Sequence, residues 1–396
     1  MADALAYLNR ELDSLREQKL FKYPRVLSGM NGPRAVYDGR EVINLSSNNY
    51  LGLNQHPRMI EAALRGVRQF GAGSGAVRTI AGTMEDHVKL ERKIAEFKHT
   101  EAALVFQSGF TANAGTVSAI LTKDDMIVSD ELNHASIIDG CRLSRAQIKV
   151  YPHSDMDGLG KALEEAQPVR DAGHNVLVVT DGVFSMDGDI ARLPDIVKIA
   201  KEFGAIVMVD DAHASGVLGR NGRGTVDHFD LHGQVDIQVG TLSKAIGVVG
   251  GYVAGSQTLI DYLVHRGRPI LFSTSHPPAV TEACIEAFDI LLEEPEIIDR
   301  LWSNARMFKE GLRRIGFDTG ASETPITPIM VGDGAMAMEF SDKLFERGVF
   351  VVAVAYPTVP KGKARLRTIV TAAHTEDDLS QALEIIEKSG RELGLV

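Results

Sequence analysis

Apolar residues recur along this chain with two different periods, and each period predicts a different kind of element. Over residues 3–18 they return at helical spacing among charged residues, which predicts an amphipathic helix; a stretch from Pro24 to Pro33 carrying Pro and Gly then breaks the pattern. Between about residues 84 and 255, the short runs ALVF, MIVS, IKVY, VLVVT, AIVMVD and DIQVG alternate with helical segments. Several of these runs are apolar at every position, as strands covered on both faces are, and the alternation predicts parallel strands joined by helical crossovers. After residue 276 the pattern changes to helices over 276–293 and 297–315, short strands over 326–331 and 365–370, and a final helix from about 376. The predicted organisation is an N-terminal arm and helix over 1–50, a large α/β domain over 51–285, and a smaller α+β domain over 286–396.

Composition narrows the function classes. The chain has 396 residues, 44% of them hydrophobic and 24% charged, which is ordinary for a water-soluble globular protein with more than one core. A formal net charge of −11 opposes a nucleic-acid surface, which needs an excess of Lys and Arg on some face. No apolar run approaches a membrane span, and residues 1–21 lack the long apolar centre of a signal peptide, so a cytoplasmic protein without a membrane partner is expected. The two cysteines, Cys141 and Cys284, are too few for a disulfide framework, and the 12 histidines fall into no metal-ligand spacing, so no metal is expected.

The chemistry-bearing residues sit where predicted strands end, the place at which open α/β sheets bind ligands. AIVMVDDAHASG ends a strand in Asp210, Asp211 and His213, and DIQVGTLSKAIG ends another in Thr241, Ser243 and Lys244. A lysine at the end of a buried strand, among small residues, is partly desolvated, which lowers its pKa and favours imine formation with a carbonyl. Asp210 is suited to holding a proton on a heteroaromatic nitrogen; the bland alternative makes it a helix cap and His213 a core histidine. In VFQSGFTANAG a strand runs through a glycine turn into a helix, so Ser108, Gly109 and Phe110 offer amides and a hydroxyl to a phosphate. SDELNHASIIDG places His134 at a helix start, where it can stack on a flat ring. GAGSGA at 71–76 imitates a dinucleotide fingerprint, but the segment before it, HPRMIEAALRGVRQF, is helical where that fingerprint requires a strand.

Taken in order, NLSSNNYLGL, GAGSGAVRTIAGT, QSGFTANAG, DELNHASIIDG, DGVFSMDGDIA, VDDAHASGVLGRNGRG, GTLSKAIGVVGGY, FSTSHPP and ARLRTIVTAAHT resemble the α-oxoamine synthase family of fold-type I enzymes that use pyridoxal 5'-phosphate (PLP). The resemblance spans nearly the whole chain. It implies a large domain with a mainly parallel seven-stranded sheet plus a smaller α+β C-terminal domain. It implies that Lys244 bonds covalently to the cofactor, Asp210 pairs with its ring nitrogen, His213 and Ser185 bond its phenolic oxygen, and His134 stacks on the ring. Ser108, Gly109, Phe110 and Thr241 would hold the phosphate. It further implies a homodimer with shared active sites, in which Ser273 and Thr274 reach the neighbour's cofactor. Asn48 and Arg367 match the positions that bind the amino-acid carboxylate.

Within the family, substrate choice turns on small residues near the acyl group, which correspond here to Val77 and Thr79. Val77 cannot bond a carboxylate, and VRTIAGT resembles the glycine C-acetyltransferase branch, so the expectation is condensation of glycine with acetyl-CoA to 2-amino-3-oxobutyrate. SHPPAV instead follows a type of broader specificity. Alternatives are condensation of alanine with a pimeloyl thioester to 8-amino-7-oxononanoate, a PLP aminotransferase or lyase on the same fold, and a binding protein without catalysis. Arg25 or Lys22, in the arm, are candidates for contact with the acyl-CoA.

Overall fold

The computed structural model describes residues 5–396, so the first positions of the helix predicted over 3–18 lie outside the described residues; the helix itself spans Ala6–Glu17. The chain forms two compact units, one of Met1–Ser47, Met186–Gly188 and Arg300–Val396, the other of Asn48–Ser185 and Asp189–Asp299.

In the larger unit all six apolar runs are strands: β1 (Ala102–Phe106), β2 (Met126–Asp130), β3 (Gln147–Tyr151), β4 (Val176–Asp181), β5 (Ile206–Asp210) and β6 (Ile237–Thr241). A seventh, β7 (Gly251–Gly255), completes a sheet of order β1-β7-β6-β5-β4-β2-β3. β7 runs antiparallel to both β1 and β6, and the other neighbours are parallel. The sequence pattern misses β7 because GYVAG is short and begins and ends in glycine. Those glycines are required by packing: a Cβ on Gly251 would lie 2.4 Å from the Ser108 carbonyl oxygen, and one on Gly255 2.8 Å from that of Asp236.

The helices are α1 (Pro57–Phe70), α2 (Glu85–Lys98), α3 (Gly109–Ile120), α4 (Ala135–Ser144), α5 (Met156–Asp171) and α6 (Leu193–Phe203). Alternation along β4 explains its unbroken apolar run. Val176 and Val178 point into one cluster with Leu159 and Leu163 of α5 and Ile196 and Val197 of α6; Leu177 and Val179 point into another with Val117 of α3 and Ile137 of α4. With both faces buried, no polar position interrupts the run until Thr180. α1 is a helix, so the glycines at 71–75 follow a helix and lie outside any strand-to-helix turn.

The larger unit runs past the expected boundary at 285. That position lies inside the helix Pro278–Glu293, which is buried along Thr281, Cys284, Ala287, Phe288 and Leu291. This helix crosses α1 so closely that a Cβ on Gly66 would sit 2.5 Å from the Pro278 carbonyl oxygen, and its Phe288 ring packs 5.0 Å from Phe97 of α2.

The smaller unit gathers both ends of the chain. The strand Arg40–Asn44 pairs antiparallel with Arg34–Tyr37 and parallel with Val349–Phe350, which ties the arm to the C-terminal region. A second sheet joins Ile326–Gly332, Ala364–Ile369 and Val352–Val354. Its core contains Leu45, Phe308, Phe340, Leu366, Leu379 and Ile386. Among the described residues no helix is long and apolar enough to cross a membrane.

Candidate active site

In the larger unit the C-terminal ends of β4, β5 and β6 bring Asp181, Asp210 and Thr241 to one edge of the sheet, with Lys244 half-buried three residues beyond Thr241. Parallel neighbours in register produce this: Asp181 stands opposite Asp210, and Asp210 opposite Val239 of β6.

Two adjacent aspartates end β5, and the fold gives them opposite environments. Asp211 forms a salt bridge with Lys98 at 2.8 Å, both side chains being fully buried, and accepts from the Thr225 hydroxyl. Burial opposes the charge on Lys98, but Asp211 together with Tyr252 and Asp227 outweighs it and raises the lysine pKa. Asp210, only 3% exposed, is paired with no cation among the described residues. It accepts from the Asn113 side-chain amide at 2.6 Å and from the Ala212 N–H at 2.8 Å. A buried carboxylate held by neutral donors has a stable place for one more partner, and a protonated ring nitrogen is such a partner.

His134 caps α4, its Nδ1 accepting from the Ser136 N–H at 3.2 Å, while its own N–H donates to Asp181 at 2.7 Å. Desolvation lowers the His134 pKa, Asp210 works against that shift, and Lys244 adds to it. Asp181 is buried, and its pKa is raised well above the usual carboxylate range, first by burial and then by the charge of Asp210. His213 is buried, with the Tyr50 hydroxyl 2.8 Å from its Nδ1.

A phosphate cradle lies at the start of α3. Ser108 is the cap: its Oγ accepts from the Thr111 N–H at 3.1 Å and its carbonyl from Ala112 at 3.0 Å. The amides of Gly109 and Phe110, in the first turn, have no intrahelical acceptor. Thr241 closes the cradle, since a Cβ on Gly109 would come within 3.3 Å of it, and its hydroxyl is oriented by donation to the Gly250 carbonyl at 2.9 Å. The Asp210 carboxylate, the cradle and the nearby Lys244 amine fit a phosphorylated pyridine aldehyde.

Ser185 lies half-buried in the loop after β4. One end of that loop is pinned by His153, whose ring nitrogens each lie 2.9 Å from a carboxylate oxygen, one of Asp130 and the other of Asp189. Burial alone would lower the His153 pKa, but the two carboxylates bring it up to about 10. Val77 forms an isolated antiparallel bridge with Thr274, and the Gln107 amide donates to the Ser273 and Thr274 carbonyls, so within one chain these residues lie beside the cradle's entry strand. Next to Val77, Arg78 makes a two-point pair with Glu91 at 2.7 and 2.9 Å.

Other candidates are placed differently. Asn48 begins the larger unit, whereas Arg367 is half-buried on the strand Ala364–Ile369 of the smaller one. Arg25 bonds Asp342 at 2.9 Å and Asp38 at 3.3 Å and stacks 3.5 Å from the Phe345 ring centre, so contacts within the smaller unit account for its position. The sequence reading passed over Asn113, Ser136, Asp181, Tyr50 and Lys98. All but Lys98 lie in the quoted motifs, but a single polar residue reads as solvated until its partners are known.

Comparison with known proteins identifies the family. Residues 40–386 match the profile of the family Aminotransferase class I and II. An 8-amino-7-oxononanoate synthase 1 of Bacillus subtilis is 59% identical over 396 residues, covering 100% of both chains. An 8-amino-7-oxononanoate synthase of Thermoanaerobacter pseudethanolicus is 59% identical over 392 residues, 99% of this chain and 98% of the other. A serine palmitoyltransferase structure from S. paucimobilis with a bound PLP–myriocin aldimine superposes with a TM-score of 0.94 at 33% identity, covering 100% of each chain.

These relatives overturn the expectation of glycine condensing with acetyl-CoA, since curated proteins 55% to 60% identical to this chain are named 8-amino-7-oxononanoate synthase. A single apolar side chain such as Val77 excludes a carboxylate only where it touches one, so it could not exclude an acyl chain that carries its carboxylate at the far end. The chain belongs to the aminotransferase class I and II family and, within it, to the PLP-dependent α-oxoamine synthases.

Proposed function

We propose that this enzyme condenses alanine with a pimeloyl thioester to give 8-amino-7-oxononanoate, carbon dioxide and the thiol. A bond forms between the alanine α-carbon and the thioester carbonyl, the C–S bond breaks, and the alanine carboxylate departs as carbon dioxide. The observation that carries this reading is the 59% identity, over the full length of both chains, to the 8-amino-7-oxononanoate synthase 1 of Bacillus subtilis.

Bound PLP supplies an electron sink that stabilises negative charge at the amino-acid α-carbon. In this reading Lys244 anchors the cofactor and, once released from it, moves the α-proton. Asp210 keeps the ring nitrogen protonated, and the neutral donors that hold it, the Asn113 side-chain amide and the Ala212 N–H, support that role. His213 and Ser185 donate to the phenolic oxygen, and His134 stacks on the ring. Ser108, Gly109, Phe110 and Thr241 hold the phosphate, for which the open first-turn amides of α3 are suited. Ser273 and Thr274 are assigned to the cofactor of a second copy, and Val77 borders the acyl group.

Thiol release by PLP-loaded enzyme, with alanine, serine or glycine crossed against pimeloyl-, succinyl- and acetyl-CoA, tests the substrate assignment. Release should be fastest with alanine and pimeloyl-CoA; a preference for another pair would overturn it. Lys244→Ala should lose both turnover and the covalently bound cofactor's visible absorbance.

A further inference from the structure

Behind the proposed ring-binding groups, two buried side chains join Asp210 to His134. Asn113, on α3, is 0% exposed. Its amide nitrogen donates to Asp210 Oδ2 at 2.6 Å and to Ser136 Oγ at 2.9 Å. Ser136, on α4 and 1% exposed, has its Oγ 2.7 Å from His134 Nδ1. Every proton in this chain has a determined place. The carboxylate of Asp210 can only accept, so the Asn113 side chain must present its NH2 group there; the reverse orientation would set a carbonyl oxygen against the charge. The second N–H of that group then fills an acceptor position on Ser136 Oγ, and the hydroxyl proton goes to His134 Nδ1. That nitrogen also accepts from the Ser136 N–H at 3.2 Å, so it carries no proton of its own. The remaining ring proton is on Nε2.

This arrangement is maintained at a cost. Asn113 Oδ1 is buried and has no hydrogen-bond partner among the described residues. Leaving such an acceptor unsatisfied costs on the scale of a lost hydrogen bond, and an apolar residue of similar shape would avoid it, so the amide is retained for what its two N–H groups bind. Helix α3 also approaches α4 closely at this point: a Cβ on Gly140 would lie 3.1 Å from the Asn113 carbonyl oxygen, which fixes the distance the relay spans.

We propose that Asn113 and Ser136 are positioning residues that lock His134 as its Nε2-protonated tautomer and couple its orientation to Asp210. One buried network then sets both the residue assigned to the ring nitrogen and the residue assigned to the ring face. The proposal rests on those two assignments. The charged groups acting on His134 are Asp210 and Lys244, with Asp181 held against its backbone N–H.

The test uses full-length enzyme labelled with 15N-histidine, studied with PLP bound and after its removal, with His134→Gln to assign the resonance. In the wild-type protein His134 should show a protonated Nε2 and an unprotonated Nδ1. Ser136→Ala should admit the other tautomer and raise the His134 titration midpoint by roughly half a pH unit to one unit, the worth of one net hydrogen bond. Ser136→Thr should restore both. The visible absorbance of bound PLP should show a pH midpoint that moves in Ser136→Ala and returns in Ser136→Thr. An unchanged tautomer and midpoint in Ser136→Ala would overturn the proposal. Because the cofactor-free spectra depend on no substrate, failure of the synthase reading would leave this result standing, and the reverse also holds.

Discussion

Replacing Lys98 with Met isolates the energetics that separate the two aspartates at the end of β5. The side chains of Lys98 and Asp211 are both 0% exposed and meet at 2.8 Å; the ammonium also bonds the Arg223 carbonyl at 2.5 Å. Methionine keeps the length of the side chain and removes the charge. Asp211 would retain the Thr225 hydroxyl and N–H but lose the one cation paired with it among the described residues, and an uncompensated buried charge of this kind costs about 3–5 kcal/mol. For a unit of this size that loss lowers the midpoint of thermal unfolding by roughly 6–20 °C. The paired variant Lys98→Met/Asp211→Asn removes the stranded charge and should recover more than half of the loss, because a buried pair replaced on both sides is often close to neutral. Urea and thermal unfolding followed by far-ultraviolet circular dichroism, on protein freed of cofactor, measure both. If Lys98→Met stays within about 1 kcal/mol of the wild type, or the double variant is no more stable than the single one, the electrostatic account of this pair is wrong.

Two further perturbations probe the scaffold. His153 has a folded pKa of about 10, so its stabilising contribution is fully present below the unfolded value near 6.5, declines between the two and is lost above pH 10. His153→Gln should therefore flatten the fall in stability over that window, measured as urea midpoints from pH 6 to 10; an unchanged profile would exclude the two-carboxylate clamp as its source. Gly66→Ala would press a Cβ to 2.5 Å from the Pro278 carbonyl oxygen, which is backbone and cannot swing away. A loss of about 1–3 kcal/mol is expected, seen as a lower thermal midpoint, and a neutral result would mean that the two helices separate easily.

The local pattern of the sequence was enough to determine most of the large sheet and the chemical inventory at its edge. Strands covered on both faces are apolar at every position, so runs such as ALVF and VLVV stood out together with the polar residues that end them. Alternation with helices marked the rest, among them β3, most of which is exposed at the edge of the sheet. β7 was hidden because its place depends on partners on both sides, Phe106↔Gly251 and Gly251↔Thr241, rather than on its own five residues. Likewise, nothing local distinguishes Asp210 from Asp211. Only the tertiary structure brings Lys98 to one and Asn113 to the other, making one aspartate half of a structural ion pair and leaving the other available for a ligand. The Asn113–Ser136–His134 relay lay within recognised motifs, yet its order depends on two helices meeting at a glycine. The acyl substrate was misread from Val77 because the identity of one side chain carries no information about the far end of a substrate. Periodicity is a property of neighbours in the chain and can be read from it, whereas hydrogen-bond partners and charge compensation arise between residues that only folding brings together.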